Sequence, residues 1–455
     1  MIFEIGCKIK LKDITAKTGR AVKNRLTMEN PKYLEAEKMG RWTGNLEPSL
    51  YFYEETGSGL VCPRGAAKQL YCLCKKHGEG VRVVDNRRTL PEVDFAFHGT
   101  LKAFQEQPVT DCMGYDFGLL SAPTGGGKTA MACHMIAQRR QPALIVVHTK
   151  ELLAQWQDRV KQFLGIDAGI IGGGKHEIRP VTVATIQSLV KCAPEIAEHF
   201  GYLILDECHK APAMQYVKAI ENFDCRYMTG LSATPYRRDG LSKVIFWHVG
   251  DVAGQVDKAE LVEGGNLCPA EVVWVGTGFT TAIDATDLYS KALSELTEDE
   301  PRNRLIARTV AENNGTGISL ILSDRKTHCE VLAAILEAQH GIDAAVLTGG
   351  TGTRERQRII ADLHEGRCKY LVATGQLVGE GFDLPAISSM FLTTPVKYHG
   401  RLIQYIGRAL RPTPEKDRAY IYDFVDHRNP VFAASAKSRA YTYKQQQIFE
   451  QQQAA

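Results

Sequence analysis

Two stretches hold residue types at spacings that could bind and split a nucleoside triphosphate. The first is Ala122-Pro-Thr124-Gly125-Gly126-Gly127-Lys128-Thr129, preceded by the apolar run from Phe117 and followed by residues that favour helix. A strand, a glycine-rich loop and a helix start form the context of a phosphate-binding loop. Glycines let successive backbone N–H groups face one anion, and the helix N-terminus adds partial positive charge. Lys128 would reach the β/γ-phosphates and the Thr129 hydroxyl would ligate Mg²⁺. The first position of the pattern is Ala122, where the usual motif has Gly. The second stretch is Tyr202-Leu-Ile-Leu-Asp206-Glu207-Cys-His209, an apolar strand ending in two carboxylates. If the strand alternation continues, the two side chains point to opposite sides and take different tasks. Asp206 would hold Mg²⁺, and Glu207 would orient and deprotonate the attacking water.

These groups need a parallel sheet to position them. Apolar runs of strand length at 117–121, 143–148, 181–184, 202–205 and 227–231 alternate with helical segments. A second set lies at 317–322, 343–347, 369–373, 389–393 and 419–424. Such alternation implies βαβ units. Between the sets, one strand is expected at Glu271–Val275 and a helical stretch at 287–313. The expected fold is α/β: two tandem parallel-sheet domains preceded by a small α+β accessory domain. The expected boundaries are 1–98 for the accessory nucleic-acid-binding module, 99–255 and 256–430 for the two α/β domains, and 431–455 for a helical tail with a fraying glutamine-rich end. Within the module, strands are expected over 1–14, 51–53 and from Val81, and helices over 31–42 and 66–77.

The chain has 455 residues and a formal net charge of +3. Residues 1–98 carry 17 Lys and Arg against 12 Asp and Glu, whereas the remainder carries 38 against 40. A basic N-terminal portion suits a polyanion, and Arg82, Arg87 and Arg88 are candidate phosphate contacts. No apolar run reaches 18 residues, and the N-terminus does not read as a signal peptide. The twelve cysteines are scattered, which suits a reducing, cytoplasmic setting, the cell's own or that of a phage host. Cys62, Cys72, Cys74 and His77 lack the usual zinc-knuckle spacing and read as packing.

Taken together, the two stretches resemble helicases of superfamily two, the DEAD/DEAH-box relatives. Further stretches match that family's motifs in order. His148-Thr149-Lys150-Glu-Leu-Leu-Ala-Gln-Trp156 resembles motif Ia, Gly172-Gly-Gly motif Ib and Ala184-Thr185-Ile-Gln187-Ser188 motif Ic. Ser232-Ala-Thr234-Pro resembles motif III, Ser323-Asp-Arg325 motif IV, Leu347-Thr348-Gly-Gly motif IVa, Thr374 to Asp383 motif V, and Gln404 to Arg411 motif VI. The likeness covers residues 99–430. Its layout is similar to XPB-like and UvsW-like DNA helicases. Arg237-Arg238-Asp239 is similar to the Arg-Glu-Asp element of the XPB-like branch, with Arg238 at the Glu position.

The resemblance implies two RecA-like domains that use ATP and Mg²⁺. It implies adenine recognition by Gln105 with Phe104 beside it, γ-phosphate sensing by Gln404, and arginine fingers at Arg408 and Arg411. Gly381 and Asp383 would couple the ribose to the nucleic-acid track, and His209, Ser232 and Thr234 would link nucleotide to groove. Strand contacts would come from Thr149, Lys150, Gly172, Thr185, Gln187, Arg325, Thr348 and Thr374, mostly to phosphate. The implied activity is ATP-dependent movement of a monomeric motor along forked or branched DNA, with 3′→5′ polarity. An RNA helicase and the motor subunit of a restriction or defence complex remain as alternatives. A scaffold that lost the motor is opposed by Lys128, Thr129, Asp206, Glu207, Arg408 and Arg411 all being present.

Overall fold

Strands buried on both faces must be apolar throughout. Ala143–Val147, Val181–Thr185 and Tyr202–Asp206 are buried at every position. In the computed structural model they lie at the centre of an eight-stranded sheet. The strand order is 175–177, 169–172, 181–185, 143–147, 202–206, 227–232, 117–121 and 252–255. All neighbours are parallel except the 175–177 edge hairpin. Strands 202–206 and 227–232 insert between the first two strands in chain order. The loop after Ser121, Ser232 and Asp206 therefore reach the same carboxyl edge side by side. In open parallel sheets that edge is where ligands bind.

The structure describes residues 1–452 apart from 41, 211–213, 237–239, 314–316, 376–386, 397–398, 411–415, 417 and 447. Arg237, Arg238, Asp239, Gly381, Asp383 and Arg411 thus lie outside the described residues. The chain divides into two compact units, Met1–Asp257 and Lys258–Ala455.

Residues 1–98 belong to the first unit. The expected strand over residues 1–14 is instead a hairpin, Ile2–Ile5 against Lys8–Lys12, because Gly6 and Cys7 break the run. With 54–56, 59–63 and 82–85 it forms a separate five-stranded sheet. That sheet shares a core with the motor: Phe3, Ile9, Leu11 and Leu70 cluster with Val244 and Trp247. Arg64 links the two parts. Its buried guanidinium donates to the carbonyls of Phe223 (3.1 Å) and Cys225 (2.8 Å). Arg64→Ala would strand both carbonyls, so it is expected to cost about 2–4 kcal/mol. A thermal melt that does not shift would refute that role.

Arg87 and Arg88, read as candidate phosphate contacts, are each ion-paired within the first unit. Arg87 pairs with Asp85 (2.7 Å) and Asp116 (2.8 Å), and Arg88 with Asp224 (3.0 Å).

The second unit has a seven-stranded, all-parallel sheet in the order 345–347, 370–374, 318–323, 387–392, 419–425, 270–276 and 449–452. The expected connector strand is part of this sheet. The expected helical stretch over 287–313 is made of two helices, Tyr289–Glu298 and Glu300–Glu312. Asp299 caps the second by accepting from the Arg302 amide at 2.8 Å, and Pro301 stands in its first turn. The tail differs from expectation as well. After the helix Pro430–Gln445, residues Phe449–Gln452 add an edge strand to Ala270–Gly276. Backbone pairing needs no apolar pattern, so a glutamine-rich segment can supply it. Arg439 and Tyr443 on that helix both reach buried Asp423 at 2.7 Å. Among the described residues, no helix is long and apolar enough to cross a membrane.

Candidate active site

The loop between Ser121 and Lys128 turns on Gly125 (φ 88°) and Gly127 (φ 78°), both in the left-handed region. Gly127 caps the helix Lys128–Arg139. A Cβ there would also fall on the Gln105 amide, which would have to shift off the loop. Gln105 is buried against this loop. Its Nε2 donates to Gly126 O at 3.1 Å and its Oε1 accepts from the Lys102 amide at 2.9 Å. Phe104, next to it, is half-buried beneath Lys102, whose Nζ lies 6.0 Å from the ring centroid. Lys128 Nζ donates to the loop carbonyls of Ala122 (2.9 Å) and Pro123 (3.3 Å). Thr124 and Thr129 are half-buried at the two ends of the cradle. Ala122 is buried, and its N–H donates to Ser232 O at 3.0 Å, which ties the loop to the neighbouring strand.

Asp206 and Glu207 do diverge, but not by strand alternation. The strand stops at Asp206, and Glu207 takes φ 51°, a left-handed conformation rare for a residue with a Cβ. The chain then enters a 3₁₀ turn at Cys208–Lys210. Asp206 is buried, and burial together with the Glu207 carboxylate pushes it up to about 6. Glu207 Oε2 lies 3.1 Å from His209 Nδ1, which is 3.2 Å from Ser232 Oγ. Ser232 Oγ in turn accepts from the Thr234 N–H at 3.0 Å. Glu207, His209, Ser232 and Thr234 therefore form one chain of contacts along the carboxyl edge.

Trp156 is a further functional residue of this edge. Its indole N–H donates to Asp206 Oδ2 at 2.8 Å from the helix Lys150–Leu164. The signal was available, since Trp156 ends the stretch read as motif Ia. The same helix is opened by Thr149, whose hydroxyl accepts from the Leu152 N–H at 3.2 Å. One helix thus joins a proposed strand contact to the carboxylate. Trp156→Phe removes a donor to a buried carboxylate, worth about 1.5–3 kcal/mol. It is expected to weaken Mg²⁺-dependent nucleotide binding about 10- to 100-fold. An Mg²⁺ titration of fluorescent-nucleotide binding checks this, and an unchanged midpoint would refute it.

Thr149, Lys150, Gly172, Thr185 and Gln187 follow the carboxyl ends of three adjacent strands. Lys150 and Gln187 are exposed, and Gln187 donates to His148 O at 3.1 Å. Thr185 is buried, with its hydroxyl on Ser188 at 3.0 Å. Gly172 packs against Leu153 and Thr185 and precedes a Gly173-Gly174 turn with φ 62° and 87°. In the second unit, Arg325, Thr348 and Thr374 likewise stand at the carboxyl ends of neighbouring strands. Arg325 donates to Ser290 Oγ at 2.8 Å, and the Thr348 hydroxyl accepts from the Gly350 N–H at 3.3 Å. Gln404 and Arg408 fall on the helix His399–Ala409; their side chains lie outside the described part.

A phosphate cradle beside a carboxylate pair, on the carboxyl edge of a parallel sheet and with a second parallel-sheet unit following in the chain, defines a RecA-like nucleoside triphosphatase motor. The comparisons agree. Residues 96–237 match the family "Type III restriction enzyme, res subunit". Residues 301–413 match "Helicase conserved C-terminal domain". The chain is 35% identical over 347 residues to the DNA 3'-5' translocase XPB2 of Sulfurisphaera tokodaii, spanning 68% of this chain and 78% of that protein. It is 26% identical to the DNA 3'-5' helicase XPB of Kineococcus radiotolerans, spanning 77% and 66%. The fold is similar to Saccharomyces cerevisiae Dbp5 (TM-score 0.54, 16% identity, 78% and 90% covered). The chain belongs to the XPB-like helicases of superfamily two, and it is a nucleic-acid-dependent ATPase.

Proposed function

We propose that this protein is an ATP-dependent DNA translocase that moves 3′→5′ as a monomer and unwinds or remodels forked or branched DNA. The observation that carries the reading is the contact chain Glu207–His209–Ser232–Thr234, on the same sheet edge as Thr149, Lys150, Gly172, Thr185 and Gln187. It gives the hydrolytic carboxylate a physical route toward the strand-binding end of the sheet. Identity to a DNA 3'-5' translocase supports DNA as the track.

The residues present fit ATP and Mg²⁺. The glycine cradle presents N–H groups, Lys128 now holds loop carbonyls that a phosphate could replace, and a buried carboxylate as hard to ionise as Asp206 suits a cation. Thr129 and Asp206 would hold Mg²⁺, which neutralises charge on the β- and γ-phosphates. Glu207 orients the attacking water and takes its proton. Gln105 reads adenine beside Phe104. By the family resemblance, Gln404, Arg408 and Arg411 would answer the γ-phosphate charge, and Gly381 and Asp383 would couple the ribose to the nucleic-acid track. Arg325, Thr348 and Thr374 contact phosphates of the strand, so stepping carries no base information.

The test is ATPase stimulation by matched DNA and RNA oligonucleotides, followed by unwinding of forked duplexes with 3′ or 5′ tails. DNA is expected to stimulate more than RNA, with unwinding from the 3′ tail. Hydrolysis that stays at its basal rate with single-stranded and branched DNA alike would sink the proposal.

A further inference from the structure

In the second unit the strand Ile318–Ser323 runs into Asp324 and Arg325, whose amides are both held by side chains. Asp324 N–H donates to Thr394 Oγ1 at 3.0 Å, and Arg325 N–H donates to Ser323 Oγ at 3.1 Å. Arg325 then caps the helix Lys326–His340. Behind Ser323 lies a buried relay. The Ser323 hydroxyl is 2.9 Å from His328 Nδ1, and His328 Nε2 is 2.9 Å from Asn303 Oδ1. Asn303 Nδ2 donates to Thr297 O at 2.9 Å. Ser323, His328 and Asn303 are each 1% exposed, so water cannot stand in for a lost partner.

The direction of every proton follows from the far end. Thr297 O only accepts, so the Asn303 nitrogen faces it and the Asn303 oxygen faces the ring. His328 Nε2 therefore carries the hydrogen, Nδ1 is bare, and the Ser323 hydroxyl donates to it. The Ser323 lone pairs are left for Arg325 N–H. Burial, with the Arg302 charge adding to it, pushes His328 down to about 3, so the ring is neutral at pH 7. Arg302 also ties the helix Glu300–Glu312, which carries Asn303, to buried Asp426 at 2.7 Å.

The Arg325 side chain closes the circuit. Its Nη2 donates to Ser290 Oγ at 2.8 Å and to Ser290 O at 3.2 Å. Ser290 starts the helix Tyr289–Glu298 and Thr297 stands near its end. That helix is thus gripped at one end by the arginine and at the other by the relay. The guanidinium itself meets no carboxylate among the described residues, and its Nε has no acceptor. A cation resting on neutral oxygens, with one donor unfilled, suits an incoming anion.

We propose that Ser290, Asn303 and His328 are positioning residues that aim Arg325 at a phosphate of the bound strand, none of them touching it. The proposal rests on the reading of Arg325 as a strand contact. It places the helix Tyr289–Glu298, which carries none of the family's motifs, behind that contact. A free arginine loses its rotamer freedom on binding, whereas one held at both its amide and its guanidinium has already lost it.

The test is a double-mutant cycle in the full chain, read as affinity for fluorescein-labelled oligo-dT by anisotropy. S290A truncates an exposed side chain and leaves the core intact. H328F keeps an aromatic ring and removes both its hydrogen bonds. Each is expected to weaken binding about three- to tenfold. In the R325A background each should change affinity by less than about 1.5-fold, because the residue they position is gone. S290T keeps the hydroxyl and should bind as the parent does. Equal losses in both backgrounds would make these residues purely structural and overturn the proposal, as would S290T binding as poorly as S290A. Parent-like affinity of S290A and H328F beside a weakened R325A would overturn it too, while leaving Arg325 a strand contact. Parent-like affinity of R325A would refute that contact, and the proposal with it.

Discussion

Glu207→Gln is expected to bind ATP as the parent does and to hydrolyse it about 100- to 10,000-fold more slowly, the range for losing a positioned general base. The substitution suits the geometry. Gln matches Glu in shape and keeps an oxygen to face His209 Nδ1, now 3.1 Å from Oε2. It changes no backbone requirement at φ 51°, because neither residue is favoured in that region over the other. What it removes is the capacity to take a proton. Single-turnover hydrolysis paired with equilibrium nucleotide binding separates the two effects. A drop in kcat smaller than tenfold would remove Glu207 from the role of base. A large loss of affinity with kcat intact would place it in binding instead.

Arg408→Ala is expected to lower kcat about 1,000-fold or more with KM changed only a few-fold, the signature of an arginine that acts on charge appearing in the transition state. Arg408→Lys should fail to rescue, because an ammonium is a point charge without the planar fork that spans two phosphate oxygens. Rescue by Lys would mean that only net charge is needed. A loss seen equally in KM and kcat/KM would make Arg408 a uniform binding contact. The assignment rests on the spacing from Gln404 within Gln-Tyr-Ile-Gly-Arg-Ala-Leu-Arg, so the kinetics of Arg408 and Arg411 are its direct test.

A resting contact qualifies the adenine assignment. Gln105 already uses its amide oxygen on Lys102 N–H and its Nε2 on Gly126 O. The second Nε2 hydrogen and the second Oε1 lone pair are what remain to read adenine. Gln105→Ala would therefore loosen the phosphate loop as well as base recognition, and a loss of discrimination between ATP and GTP, not of affinity alone, is the informative readout.

The parallel-sheet motor was legible in the sequence because its strands are buried on both faces. Such strands must be short continuous apolar runs, and the turns between them carry glycine and chemistry. The runs read at 117–121 and 202–205 became Phe117–Ser121 and Tyr202–Asp206. Positions within the chain also sufficed for the phosphate loop, since its function needs only successive glycines and the helix start that follows them.

Pairing between distant residues was not legible, because any of many partners satisfies the same local pattern. Nothing local distinguishes Arg87, locked between Asp85 and Asp116, from exposed Lys17. Nor does it tell that Glu207 leaves the strand in a left-handed turn, that Trp156 reaches Asp206, or that a glutamine-rich tail closes a sheet edge through its backbone. Residue type and spacing determined what chemistry this chain can hold. The tertiary structure decided which charges are spent inside the fold, because ion pairs and hydrogen bonds form between groups that only folding brings within about 3 Å.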